Sequence, residues 1–470
     1  MGGRTVAMRF TACLLVTILA LACASALADV PGVIPPLPFV PTAIEIKQLA
    51  ASDPEANDEF GYAVAISGDT MVVGAWREDE ACPSLTPCDS GAAYVFERDQ
   101  GGIDNWGFIK KLTASDAAQN DNFGRSVAIS GDRIVVGVPM MSNINGLGAA
   151  YVFERNRDGT NNWGERIKLQ ASDKNGGDKF GLSVGISGTR VLVGAPQNDD
   201  MGEGTGSAYV FERDYPTADT WGQINKISAS DRYGWDWFGY SVAISGDTAI
   251  VGALLEDGGD LHPYPGAGAA YIFERGSVGP YYWTEVQKLA ASDIAAGDEF
   301  GVSVAISGDT AVVGSNRNDD ACPGDASCDS GSAYVFERDQ DGADAWGQTR
   351  KLTAADDAYK DEFGISVAIS GNSIVVGAFR ADPVGTDSGA AYLFSRDAGG
   401  NGMWGQSQKY IGSSTSAEDE TGRSVGVSGE TTVVGSPLDD SAGTDTGSAY
   451  LFEAPEVMLS FFVGEVPAEH

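Results

Sequence analysis

Seven aspartates, Asp58, Asp121, Asp178, Asp236, Asp298, Asp361 and Asp419, stand two positions before a Phe-Gly pair, which is Thr-Gly in the last case. Six more, Asp53, Asp116, Asp173, Asp231, Asp293 and Asp356, lie at a fixed distance upstream, with Ser414 at the seventh place. A ring of carboxylates could bind cations or a basic ligand. The same residues at constant spacing could instead cap backbone N–H groups in a repeated turn. Sevenfold regularity favours the cap, because a specific site breaks symmetry. A second acidic group, Asp339, Asp341 and Asp344, offers oxygens at near-alternate positions as a calcium loop does. No bidentate Glu follows at the twelfth position, so an Asx turn is the simpler reading and these three are weak metal candidates.

Other motifs carry less. G-x-S-x-G occurs at 181–185 and 422–426, but a nucleophile elbow needs a strand-turn-helix and both copies fall inside a strand pattern. Acid–base catalysis usually needs a positioned His or a carboxylate pair in distinct environments. The chain holds only two His, His262 in a long loop and His470, and no catalytic residue is assigned. Cys82 and Cys88, and again Cys322 and Cys328, occupy equivalent places in two repeats and read as two local disulfides.

The elements that must position these residues are legible from spacing. The glycine of the Phe-Gly pair recurs seven times, from Gly61 to Gly422. The glycine closing "VVG" follows it at one fixed distance, Gly74 after Gly61 and Gly435 after Gly422. The Tyr of "G-[AS]-A-Y" and the next Trp keep an equally constant interval, from Tyr94 with Trp106 to Tyr392 with Trp404. All length variation sits between the "VVG" glycine and that motif, an interval short at 137–148 and long at 74–91. The short β-branched and aromatic runs "SVAIS", "TAVVG", "AYVFER" and "W-G-x-x-x-K-L", separated by Gly and Asp turns, predict four strands per repeat. Seven four-stranded units predict an all-β, seven-bladed β-propeller at 44–454. The chain enters with a fourth strand, "IEIKQL" at 44–49, and ends with a third, "AYLFE" at 449–453, so the N-terminal strand is expected to close the last blade.

The stretch "D-E-F-G-V-S-V-A-I-S-G-D" at 298–309 and its six relatives resemble the FG-GAP repeat of integrin α-subunit propellers and many exported bacterial proteins. The resemblance implies that the connections from second to third strand share one face with the inter-blade connections, the ligand face in integrins. It also implies calcium in an acidic loop between the first two strands. Here that connection is "S-G-D-T", too short for the roughly six or more oxygens calcium takes. Calcium is nevertheless the one cofactor in view.

The chain carries 66 acidic against 30 basic residues, a net charge of −36, which argues against nucleic acid or an anionic membrane as partner. Arg4 and Arg9, an apolar run from Phe10 to Leu21 and Ala26-Leu27-Ala28 read as a signal peptide over 1–28. Lipid anchoring through Cys23 is the alternative, against a poor lipobox. No later run is long and apolar enough to span a bilayer. The expectation is a secreted, cell-surface or periplasmic monomer that binds a protein or carbohydrate through its variable loops, with Trp76, His262 and Tyr264 as ligand-face candidates. The alternative is an extracellular polymer-degrading lyase or hydrolase with a carboxylate site at the propeller mouth. The tail, 455–470, is unassigned.

Overall fold

A computed structural model describes residues 44–79, 87–140, 146–200, 202–257, 265–276, 279, 281–319, 322 and 328–453. In the first repeat the four apolar runs become antiparallel strands Phe60–Ser67, Thr70–Ala75, Ala92–Glu97 and Gly107–Leu112, hydrogen-bonded in that order. Ser67 pairs with Thr70, so only Gly68 and Asp69 make the first turn. Gly68 has φ of 57°, the positive value that so tight a hairpin of this twist demands.

Seven such sheets form, and first strands pack on their neighbours around the centre, Phe60–Ser67 touching both Ser126–Ser130 and Ser424–Ser428. The seventh sheet takes its outer strand from the start of the chain: Ile44–Leu49 pairs antiparallel with Ser448–Glu453. The all-β seven-bladed propeller and its closure are therefore as the spacing predicts. The expected signal peptide and the tail fall within 1–43 and 454–470, outside the described residues.

The invariant intervals follow from contacts. Within a blade the N–H of Gly181 donates to the carbonyl of Gly194 at 2.9 Å, joining the two ends of the first hairpin and fixing their separation. Between blades, a Cβ on Gly74 would collide with the carbonyl of Gly124, and a Cβ on Gly124, at φ of 91°, with the carbonyl of Ala92. The same approach repeats around the ring and ends on Gly435 against Gly61. The Phe of the pair fills the wedge between sheets. Phe123 meets Tyr151 and Phe153 of its own blade at 5.8 and 6.0 Å and is clustered with Val72 and Ala93 of the preceding one. Such aromatic pairs contribute about 0.5–1.5 kcal/mol each beyond burial.

The end bearing the short turns is stitched blade to blade. The N–H of Gly68 donates to Ser428 Oγ at 2.9 Å, that of Gly131 to Ser67 Oγ at 3.2 Å, and so on to Gly429 on Ser370. The Ser of "SGD" thus serves the following blade. At the outer rim, the Arg closing the third-strand motif stacks on its own blade's Trp and reaches back one blade, Arg396 lying 4.6 Å over Trp404 while bonding Glu337 at 2.6 Å.

Candidate functional site

The downstream Asp of the doublet caps its turn. Asp58 accepts the Glu55 N–H at 2.8 Å, Asp121 that of Ala118 at 2.9 Å, and Asp419 that of Ser416 at 2.6 Å, one cap per inter-blade turn. Burial pushes the Asp58 and Asp236 carboxyls up to about 7, against the backbone bond that favours the charged form. The upstream Asp joins a lock across the third and fourth strands: Asp53 accepts from Tyr94 Oη at 2.8 Å and Lys111 Nζ at 2.7 Å, while Lys111 also pairs with buried Glu78 at 2.8 Å. Burial alone would raise the Asp53 carboxyl, but the Lys111 and Tyr94 bonds outweigh it and hold it below the ordinary range. In the seventh blade the Tyr stays and its partners change together. Ser414 replaces the Asp, Gln48 the Lys, and Tyr450 Oη turns to Asp439.

The Asp339 group closes a turn on itself. Asp339 Oδ1 accepts the N–H of Asp344 at 2.6 Å, as Asn156 does for Asn161 and Asp99 for Asp104. Among the described residues no three carboxylate, thiol or imidazole side chains converge as a metal site requires. The serines of G-x-S-x-G donate to a neighbouring blade, Ser183 to the Gly239 carbonyl at 2.8 Å and Ser424 to that of Gly61 at 2.8 Å. Cys322 and Cys328 are joined, with Cα atoms 5.8 Å apart. Cys88 is also disulfide-bonded, while Cys82 lies outside the described residues.

The loops between second and third strands hydrogen-bond the next inter-blade connection, Asn122 N–H to the Asp89 carbonyl at 3.1 Å and Phe123 N–H to that of Ser90 at 2.9 Å, so both kinds of connection build one face. A cavity of about 1320 Å³ opens there, off-centre, over blades 1 to 4. Its lining includes Trp76, Arg77, Arg125, Lys179, Trp237 and Tyr240. Three kinds of position supply these: the one before the Phe, the one after its Gly, and the pair that follows the second strand.

Symmetry fails at these positions. Glu59, Glu299 and Glu362 precede the Phe in three repeats, and each is paired with the Arg just beyond the second strand of its own blade, Arg77, Arg317 and Arg380, at 2.9, 2.9 and 2.8 Å. Repeats 2, 3 and 4 replace the couple by Asn122 with Met140, Lys179 with Gln197, and Trp237 with Leu255. Glu59 also holds the Trp76 indole N–H at 2.6 Å, and burial, only partly offset by Trp76 and Arg77, raises its carboxyl. The Arg125 guanidinium lies 4.6 Å from the Tyr62 ring and 4.7 Å from that of Trp76. Burial and then the charge of Arg125 lower the Lys179 amine.

Comparison with protein families matches the FG-GAP repeat seven times, at 44–96, 106–153, 163–211, 221–273, 283–336, 346–394 and 404–452. The chain belongs to the FG-GAP repeat family. A search of curated proteins found no match. In this FG-GAP propeller Trp76 lines the mouth, whereas His262 and Tyr264 lie outside the described residues. Arg125, Lys179, Trp237 and Tyr240 are not singled out by the repeat pattern. Their signal is present but inverted: Lys179 and Trp237 stand at a column that is Glu in four of the seven repeats. Among the described residues no helix is long and apolar enough to cross a membrane.

Proposed function

We propose that this FG-GAP propeller is an exported, monomeric binding module that engages a protein or carbohydrate partner through the face made by its second-to-third-strand and inter-blade loops. The contrast between its two ends carries the reading. One end carries seven tight turns, each tied by the same Ser–Gly bond, and none of the loops of variable length. The other gathers every loop of variable length and a cavity of about 1320 Å³, the arrangement by which rigid scaffolds usually present recognition residues. The carboxylates that recur at fixed spacing are engaged in caps and locks, which favours binding.

Replacing 253–267 with 378–388, the shorter equivalent of blade 6, tests this. We expect capture on arrays of extracellular glycans and proteins to fall at least tenfold while the melting temperature stays within about 2 °C. A parent chain that captures nothing, or a swapped chain that captures as well, overturns the reading.

A further inference from the structure

The couple of Glu before the Phe and Arg beyond the second strand neutralises the mouth in blades 1, 5 and 6. Blades 2 and 3 carry the cations Arg125 and Lys179 without it. Among the described residues, neither side chain has a hydrogen bond or ion pair to a carboxylate, and Arg125 rests on the faces of Tyr62 and Trp76. Two neighbouring cations with no carboxylate in contact, half-buried, on a chain of net charge −36, call for an anion supplied from outside. Of the acids beside them, Asp79 Oδ1 accepts the N–H groups of Cys88 and Asp89, each at 2.7 Å, Glu59 serves Trp76 and Arg77 and also feels the charge of Arg125, and the Asp89 carboxyl, raised by burial and by Asp79, feels the charge of Arg77.

The walls narrow the class of anion. Trp76 is fixed by Glu59 and carries the Arg77 and Arg125 guanidinium groups at 4.5 and 4.7 Å, while Trp237 and Tyr240 stack with rings 6.2 Å apart and 16° from parallel. Flat, rigid aromatic faces beside an anion hole suit a ring that offers apolar C–H on its face and a carboxylate at its edge. The volume, about 1320 Å³, exceeds the roughly 300–1,000 Å³ usual for a single small ligand and leaves a bare phosphate or sulfate mostly uncontacted. Long-range repulsion by the acidic surface is screened beyond about 8–10 Å at physiological salt, so the contacts inside the mouth decide.

We propose that the mouth binds an acidic oligosaccharide, a uronate carboxylate lying between Arg125 and Lys179 and a sugar ring on Trp237. This rests on the reading of the loop face as a binding face and names its ligand class. A guanidinium can take a carboxylate in two parallel hydrogen bonds, and Lys179 adds a point charge.

Calorimetric titration of the full propeller with trigalacturonate and a hyaluronan tetrasaccharide tests it, against maltotriose, methyl-esterified trigalacturonate and hexaglutamate. At least one uronate should bind, with the neutral sugars at least tenfold weaker. Arg125→Gln and Lys179→Met should each weaken uronate binding about tenfold, the effect of losing one charge-assisted bond, at unchanged melting temperature. Arg317→Gln, in the paired half, should change it less than twofold. Absence of uronate binding, equal binding of maltotriose, tighter binding of hexaglutamate, or unaltered affinity in both cation variants overturns the proposal. Should the 253–267 exchange still abolish capture in any of those cases, only the ligand assignment fails. Should uronate binding hold while that exchange changes no capture, only the loop reading fails.

Discussion

The caps and the locks, at residue scale, make stability depend on pH in two opposite windows. Asp58 and Asp236 have folded pKa values of about 7, far above the roughly 3.9 of an unfolded Asp. Between those values the folded chain holds protons the unfolded chain does not, so stability rises as pH falls from about 8 towards 4. Asp53, Asp116 and Asp231 are held below the ordinary range, so their contribution is present above about 4 and is lost on further acidification. Asp58→Asn keeps an oxygen for the Glu55 N–H and removes the buried charge. It should raise the melting temperature at pH 8 by about 1–3 °C and by less at pH 5, as read by calorimetry. A fall at pH 8 would show that the charged carboxylate is needed, as a cation site requires and a cap does not.

At the scale of elements, the hairpin and the seam between blades share their glycines. In Gly124→Ala the new methyl meets the Ala92 carbonyl, a backbone atom that cannot turn aside, at a positive φ that Ala resists. A loss of about 3 kcal/mol or more in denaturant titration is expected, whereas Gly68→Ala, with open space around its Cβ, should cost only the roughly 1 kcal/mol of the φ penalty. These contacts explain why the fold is so legible in the sequence. Each fixed interval is a contact that every blade must make with itself or its neighbour, so the same letters return at the same distance. The mouth is legible only in part, for the converse reason. Trp76 stands out as an aromatic in a long loop, but Lys179 and Trp237 differ from the repeat by single letters beside the recurring Phe. Nothing local marks a missing Glu as meaningful until its Arg partner, on the far side of the hairpin, is seen to be missing as well. Loop length, the more visible irregularity, points instead to His262 and Tyr264.

For the whole molecule, the strand borrowed from the start of the chain makes the seventh sheet equivalent to the other six, with Leu49 opposite Ala449 just as Leu112 lies opposite Ala93. The Ser–Gly stitches then form an unbroken circuit in which each blade donates to the one before it and accepts from the one behind. An open stack of repeats has two terminal units with a single neighbour, and it frays from them. A closed circuit has no such unit, so releasing any blade breaks two joints, whichever blade it is. Amide hydrogen exchange should accordingly show the second and third strands of all seven blades opening together near the global unfolding free energy. A gradient of protection falling towards the blade that holds Ile44–Leu49 would mean that the circuit is broken at its last joint.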